Sequence, residues 1–194
     1  MSEVTIAVLA VQGAFAEHEA ALGEAGASCV ELRKGEDLDQ PFDGLVLPGG
    51  ESTVQGKLIR ELGMEETLRR RISDGMPVLA TCAGMILLAD EIVGGERAHL
   101  GILPAVVRRN AYGRQLGSFH TEGEVEGIGT VPMTFIRAPY IERVKGETQI
   151  LAEVDGRIVA VRNRNIWAYS FHPELDGDRS IHRCFVEHCA KCLR

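Results

Sequence analysis

The sequence predicts an α/β protein of three layers: a mainly parallel central sheet, helices on both faces, and extra antiparallel strands in the second half. Three observations carry this prediction. In the first ninety residues, short β-favouring apolar runs alternate with segments of helical spacing, as right-handed βαβ units require. Those runs are continuously apolar, the mark of strands covered on both faces. After Leu100 the helical spacing fades, and strand-like runs separated by turn residues take over.

The elements follow in order. Thr5–Val11 (TIAVLAV) reads as the first buried strand, punctuated by Gly13. Ala14–Glu24 reads as a helix with Phe15, His18, Ala21 and Leu22 at helical spacing. Ser28–Leu32 and Gly44–Leu47 are the next strands, the latter ended by Pro48-Gly49-Gly50. Thr53–Leu62 and Met64–Asp74 read as helices divided by Gly63. Pro77–Ala80 is a fourth strand, running into Thr81-Cys82-Ala83-Gly84 and a helix over Met85–Asp90. In the second half, strands are expected at Gly101–Arg108, Ser118–Gly123, Met133–Ile136, Gln149–Val154, Arg157–Arg162 and Ile166–Tyr169. Asp155-Gly156 signals a hairpin between two of them. Asn110–Gly117 is the expected mobile loop, and Arg179–Leu193 a closing helix. With 194 residues and no linker or repeat, one domain over residues 1–194 is expected.

Composition removes several functions. A net charge of −7 disfavours general nucleic-acid binding, which needs a basic stripe. No apolar run nears the roughly 20 residues that span a bilayer, and the start lacks the pattern of a secretory signal. Five irregularly spaced cysteines argue for reduced thiols rather than a disulfide framework. A cytoplasmic protein is the expectation.

Three segments carry chemistry. Cys82 stands between a buried strand and a helix, in a turn of small residues. Such an elbow exposes a nucleophile at the sheet edge, and free N–H groups at a helix start favour a thiolate. The Ala83 N–H, just after it, can donate to an oxyanion. A buried structural cysteine is the plain alternative. His172-Pro173-Glu174 follows the last strand; a cysteine nucleophile needs a base, and the base an orienting group. Residues two apart share a side if the chain is extended, and Pro173 favours that at His172. Alone, the motif also suits a surface turn. Pro48-Gly49-Gly50-Glu51-Ser52-Thr53 joins a buried strand to a helix, where glycines let backbone N–H groups approach a ligand or oxyanion. The plainer reading is a turn with Ser52 or Thr53 as helix cap. Lys57 does not complete a phosphate-binding loop pattern.

At these residues the sequence resembles the class I (triad) glutamine amidotransferases. Within them it is similar to the PdxT family, the glutaminase subunits of pyridoxal 5′-phosphate synthase. The resemblance runs through Ile6–Gly13, Leu47–Thr53, Thr81–Gly84, Arg109–Gln115, Phe135–Pro139 and Phe171–Leu175. It implies the class I amidotransferase (flavodoxin-like) version of the fold. It implies Cys82 as nucleophile, His172 as base and acid, and Glu174 as orienter. Gly50, Glu51, Ser52, Arg109, Ile136 and Arg137 would contact L-glutamine, with Gly50 and Ala83 supplying the oxyanion hole. The implied reaction gives glutamate and ammonia, passed to a barrel-shaped, oligomeric synthase of the PdxS family for vitamin B6 biosynthesis. No cofactor is implied on this chain. One departure stands out: the superfamily elbow usually has glycine two before the cysteine, here Ala80.

Other readings compete. Cys184, His188 and Cys192 fall along one helix face near Cys189, which invites zinc; Ile181 and Phe185 share roughly that face, and two C-x₂-C pairs, as structural zinc sites have, are not present, since Cys189 and Cys192 make only one. A core helix without metal is expected. An amidotransferase feeding another acceptor, an elbow-cysteine hydrolase, and a non-catalytic binding module on the same fold are the remaining alternatives.

Overall fold

The computed structural model describes residues 4–109 and 117–193. The expected loop Asn110–Gly117 and the motif residues Asn110 to Gln115 therefore lie, Gly117 apart, outside the described residues.

Five parallel strands form one half of the main sheet: β1 (Thr5–Leu9), β2 (Ser28–Leu32), β3 (Gly44–Leu47), β4 (Val78–Thr81) and, from far along the chain, β12 (Ile166–Tyr169). They lie in the order β2-β1-β3-β4-β12. Every residue of β3, β4 and β12 is buried, as continuous apolar runs require of strands covered on both faces. Beyond β12 the sheet continues through β11 (Arg157–Asn163), β9 (Tyr140–Val144), β6 (Leu103–Arg108) and β5 (Ala89–Ile92), with β10 (Gln149–Val154) also on β11. The pairings of β11 with β12, β10 and β9, and of β9 with β6, are antiparallel. The expected parallel sheet with antiparallel additions is thus found. A separate ribbon pairs β7 (Ser118–Val125) with β8 (Gly129–Ile136).

Helices cover both faces. On one, α2 (Ser52–Glu61), α3 (Glu65–Ser73) and α4 (Ala83–Leu88) bury Ile59, Leu68, Ile72 and Met85 to Leu88 against the sheet. On the other, α1 (Phe15–Glu24) and α5 (Ser180–Cys192) bury Leu22, Ile181, Phe185 and Val186 beside Tyr169 and Phe171. Burying each such side chain is worth about 1.5–3 kcal/mol.

The structure corrects several sequence boundaries. The first strand stops at Leu9: the Ala10 N–H still reaches Leu32 O (2.9 Å), but the chain then turns at Gly13, φ 104°, to bring the Ala14 N–H onto Gly49 O (3.0 Å). The helix expected over Met85–Asp90 ends at Leu88, because Ala89–Ile92 pairs in parallel with β6 and Asp90 accepts the Ala105 N–H. Strand β9 has no counterpart in the sequence reading; its adjacent charges Glu142 and Arg143 hide the alternation, and pairing between β6 and β11 decides its state. The cap of α2 is neither Ser52 nor Thr53 but Glu51, whose carboxylate accepts the Thr53 and Val54 N–H groups. The Asp155-Gly156 hairpin is present, with both residues at positive φ (51° and 72°), as a type I′ turn needs.

Helix α5 is the core-packing helix expected, although Cys184 and Cys192 do not share its buried face. Its buried face is Ile181, His182, Phe185, Val186 and Cys189, whereas Cys184 is half-buried and Cys192 exposed. His188 Nε2 lies 3.1 Å from Asn165 Oδ1 and its ring packs on Trp167. Among the described residues no group of three or more His, Cys, Asp or Glu is placed to hold a metal.

Candidate active site

Strand β4 delivers Cys82 to the C-terminal edge of the parallel sheet, where such sheets place their sites. Cys82 has φ 48° and ψ −104°, a left-handed conformation costing about 1–3 kcal/mol for a residue with a Cβ. Packing holds it there: its N–H donates to Tyr169 O (2.8 Å) and its carbonyl accepts the Met85 N–H (3.1 Å). Gly84 is required beneath the turn, since a Cβ there would overlap the Leu47 carbonyl. Ala80 sits earlier, within the regular part of β4 between Leu47 and Ala168. Its methyl is fully buried in the core, so the departure from glycine is absorbed by packing before the turn begins.

His172 and Glu174 arrive from the end of β12. An extended chain through both is the expectation from sequence. The backbone is open at His172 (φ −111°, ψ 81°), but Pro173–Leu175 closes into a 3₁₀ turn. The pair still meets, with His172 Nδ1 2.7 Å from Glu174 Oε1. His172 is pinned by its N–H to Thr134 O (2.8 Å). Gly49 permits the close approach, because a Cβ there would land on the His172 ring.

Electrostatics favour a charged imidazole. Burial opposes charge on His172, but hydrogen bonds to Cys82 and Glu174 outweigh it and raise its pKa to about 10. Burial likewise pushes the Glu174 carboxyl up, while His18 and His172 hold it below its ordinary value. The result is a buried row of contacts from Cys82 through His172 to Glu174.

In front of it lies a cleft of ≈ 360 Å³. Cys82, His172, Gly50, Glu51, Ser52, Arg109, Ile136 and Arg137 all line it; Glu174 stands behind His172, and Ala83 begins α4. Cys82 Sγ is 4.0 Å from Ile136 O. Arg109 is engaged by Glu51 Oε1 (3.0 Å), Glu96 Oε2 (2.6 Å) and Thr53 Oγ1 (3.1 Å). Burial alone would raise the Glu51 carboxyl, but the Val54 and Thr53 N–H groups and Arg109 hold it low. Arg137, at φ 43°, is exposed. Ser52 Oγ is buried without a hydrogen-bond partner among the described residues.

Sequence reasoning missed roles for Gln12 and Gly13. Gln12 Oε1 accepts the Glu51 N–H (2.8 Å), and Gln55 Nε2 donates to Gln12 O (2.9 Å), so this turn ties the end of β1 to the glycine loop. The available signal is a Gln-Gly pair at the end of a buried strand, where α/β sites form.

A sheet of this order with a cysteine elbow beside a His-x-Glu pair is the arrangement that the resemblance to glutamine amidotransferases implies. The solved structure of a glutamine amidotransferase is 46% identical, with a TM-score of 0.90, covering 95% of this chain and 98% of that one. A glutamine amidotransferase from Thermotoga maritima shares the fold at 16% identity and a TM-score of 0.64, covering 100% of this chain and 85% of that one. The chain belongs to the SNO glutamine amidotransferase family, whose sequence pattern matches residues 8–191. Among curated relatives, the pyridoxal 5′-phosphate synthase subunit PdxT of Desulfitobacterium hafniense is 59% identical over 94% of this chain and 92% of its own length. That of Streptococcus pneumoniae is 52% identical over 95% and 96%.

Proposed function

We propose that this chain hydrolyses L-glutamine to L-glutamate and ammonia, and hands the ammonia to a pyridoxal 5′-phosphate synthase subunit of the PdxS family. The observation that carries the chemistry is the Cys82 elbow facing His172, itself held 2.7 Å from Glu174. The subunit name borne by relatives at 51–59% identity supports the partner.

Cys82 sulfur attacks the side-chain carboxamide carbon, forming the C–S bond. Charge on the carbonyl oxygen is met by the Gly50 and Ala83 N–H groups; losing one such donor costs about 10²–10³ in rate. His172 gives its proton to the nitrogen, the C–N bond breaks, and ammonia leaves a thioester. His172 then takes a proton from water, whose oxygen attacks the thioester and releases glutamate. Glu174 fixes the ring and offsets its charge. Arg137 is the guanidinium offered to the substrate α-carboxylate, a geometry that fits bidentate pairing. Arg109 acts through Glu51, holding the loop whose Gly50 and Ser52 meet the substrate, and Ile136 closes the far wall.

The whole chain works as one glutaminase domain with no cofactor of its own. The proposal includes a cytoplasmic location, since a cysteine nucleophile among five free thiols suits a reducing compartment. The test is glutamate release with and without the synthase partner, beside a Cys82→Ala variant. Release that requires Cys82 and rises with the synthase is expected. Cys82-dependent release indifferent to the synthase would reject the partner, and release undiminished in Cys82→Ala would reject the chemistry.

A further inference from the structure

Behind Glu174 lies a histidine that the reaction above does not use. His18, on the inner face of α1, is fully buried. Its Nε2 is 3.4 Å from Glu174 Oε2 and 3.0 Å from Thr81 Oγ1; its Nδ1 is 3.1 Å from His182 Nε2. Thr81 immediately precedes Cys82, and its Oγ1 accepts the Gly49 N–H (3.1 Å). One ring therefore stands beside the second oxygen of the Glu174 carboxylate and the side chain that ties the elbow to the glycine loop.

Proton placement gives these contacts a direction. Burial outweighs the opposing pull of Glu174 and lowers the pKa of both His18 and His182, the latter to about 3, favouring the neutral form of each ring. Each then has one N–H. If His18 carried it on Nδ1, His182 Nε2 would have to accept, leaving a buried His182 Nδ1–H with no partner and a His18 lone pair facing a carboxylate. With the proton on His18 Nε2, it points to Glu174 and Thr81, and Nδ1 accepts from His182. Only the second arrangement gives both ring N–H groups an acceptor within reach, and unpaired buried donors are rare. It also turns the N–H edge of the ring toward Glu174 Oε2, which lies 3.4 Å away and has no hydrogen-bond partner among the described residues.

We infer that His18 is a positioning residue: its Nε2–H fixes the Glu174 carboxylate from behind and, through Thr81, holds the Gly49–Gly50 loop in register with Cys82. At a core position of an amphipathic helix a leucine would pack without the cost of burying imidazole. The histidine instead aligns two arms of one site. This inference rests on the glutaminase reading.

The experiment measures synthase-stimulated glutamate release for the unsubstituted chain and for Cys82→Ala, His18→Leu, His18→Gln and Thr81→Val. His18→Leu is expected to lower kcat about tenfold or more, as misplacements near 1 Å do, with glutamine KM within about threefold of the parent. Gln can present an N–H near the position of Nε2, so His18→Gln recovers a substantial part of that loss. Thr81→Val keeps the shape, removes the bridge and lowers kcat several-fold. A His18→Leu enzyme within twofold of the parent overturns the inference, as does His18→Gln no faster than His18→Leu. If His18→Leu does not fold, Thr81→Val decides, and a kcat within twofold of the parent overturns it. Activity undiminished in Cys82→Ala would instead sink the glutaminase reading beneath it.

Discussion

Replacing Gly49 by alanine should disable this site without disturbing the fold. Gly49 is not at positive φ, so alanine suffers no backbone strain there. The obstacle is steric. An added Cβ would lie 2.9 Å from His172 Nδ1 and closer still to Cε1, where ordinary carbon contacts need about 3.5–4.0 Å. The ring must retreat by roughly 1 Å, a misplacement worth about 10² in rate. It cannot retreat freely, because the 2.7 Å bond to Glu174 and the 2.8 Å bond to Thr134 O both hold it. The alternative, a shift of the loop, breaks the Gly49 N–H bond to Thr81 and moves Gly50. Either response lowers kcat about 100-fold, while stability falls by about 1–3 kcal/mol, as for other overpacked positions. Glutamate release with the synthase present, read beside a thermal melt, is the assay. A folded Gly49→Ala enzyme with kcat within threefold of the parent would refute the claim that His172 is wedged against this loop.

At Cys82, φ 48° penalises any side chain, so Cys82→Gly should melt at or above Cys82→Ala despite having fewer atoms to pack, by up to about 1 kcal/mol; both should release no glutamate, and a clearly lower melting point for glycine would deny the strain. His172 has a folded pKa of about 10 against an ordinary 6.5: burial opposes the charge, and the hydrogen bonds to Cys82 and Glu174 prevail. Its contribution to stability is therefore complete below about pH 6.5 and lost as pH rises through about 10. Melting temperature should decline across that window, and the decline should flatten in Cys82→Ala, where the first of the raising partners is gone; equal slopes would contradict the assignment. Arg137→Ala should raise the glutamine KM about 10–100-fold with a smaller change in kcat, since hydrogen bonds to charged groups are worth about 1.5–3 kcal/mol; an unchanged KM would move the α-carboxylate elsewhere in the cleft.

Much of this is legible in the sequence for physical reasons. Continuous apolar runs such as Gly44–Leu47 and Ile166–Tyr169 suit strands covered on both faces. Cys82 followed by small residues after such a run suits a tight turn at a sheet edge. What local pattern does not encode is missed. Ala89–Ile92 looks like the tail of a helix until β6 supplies a partner for it. Tyr140–Val144 carries charge on adjacent positions, and only its seat between two strands makes it one. His18 reads only as a member of a helical stripe, because nothing local reports that Glu174, 156 residues away in the chain, will stand behind it. Glu51 suggests a substrate contact and gives no hint that it caps α2, since glutamate is not among the preferred capping residues.

The position of β12 has a consequence for how the chain is made. It lies at the heart of the sheet, between β4 and β11, yet leaves the ribosome long after the strand β4 that it pairs with. Until it arrives, β4 presents a bare, fully core-forming edge, the kind of surface that invites mispairing. The same late segment leads directly into His172 and Glu174. A growing chain therefore carries Cys82 through the synthesis of residues 83–171 with neither His172 nor Glu174 beside it. Arrival of β12 in the sheet and the meeting of Cys82 with His172 and Glu174 are one event.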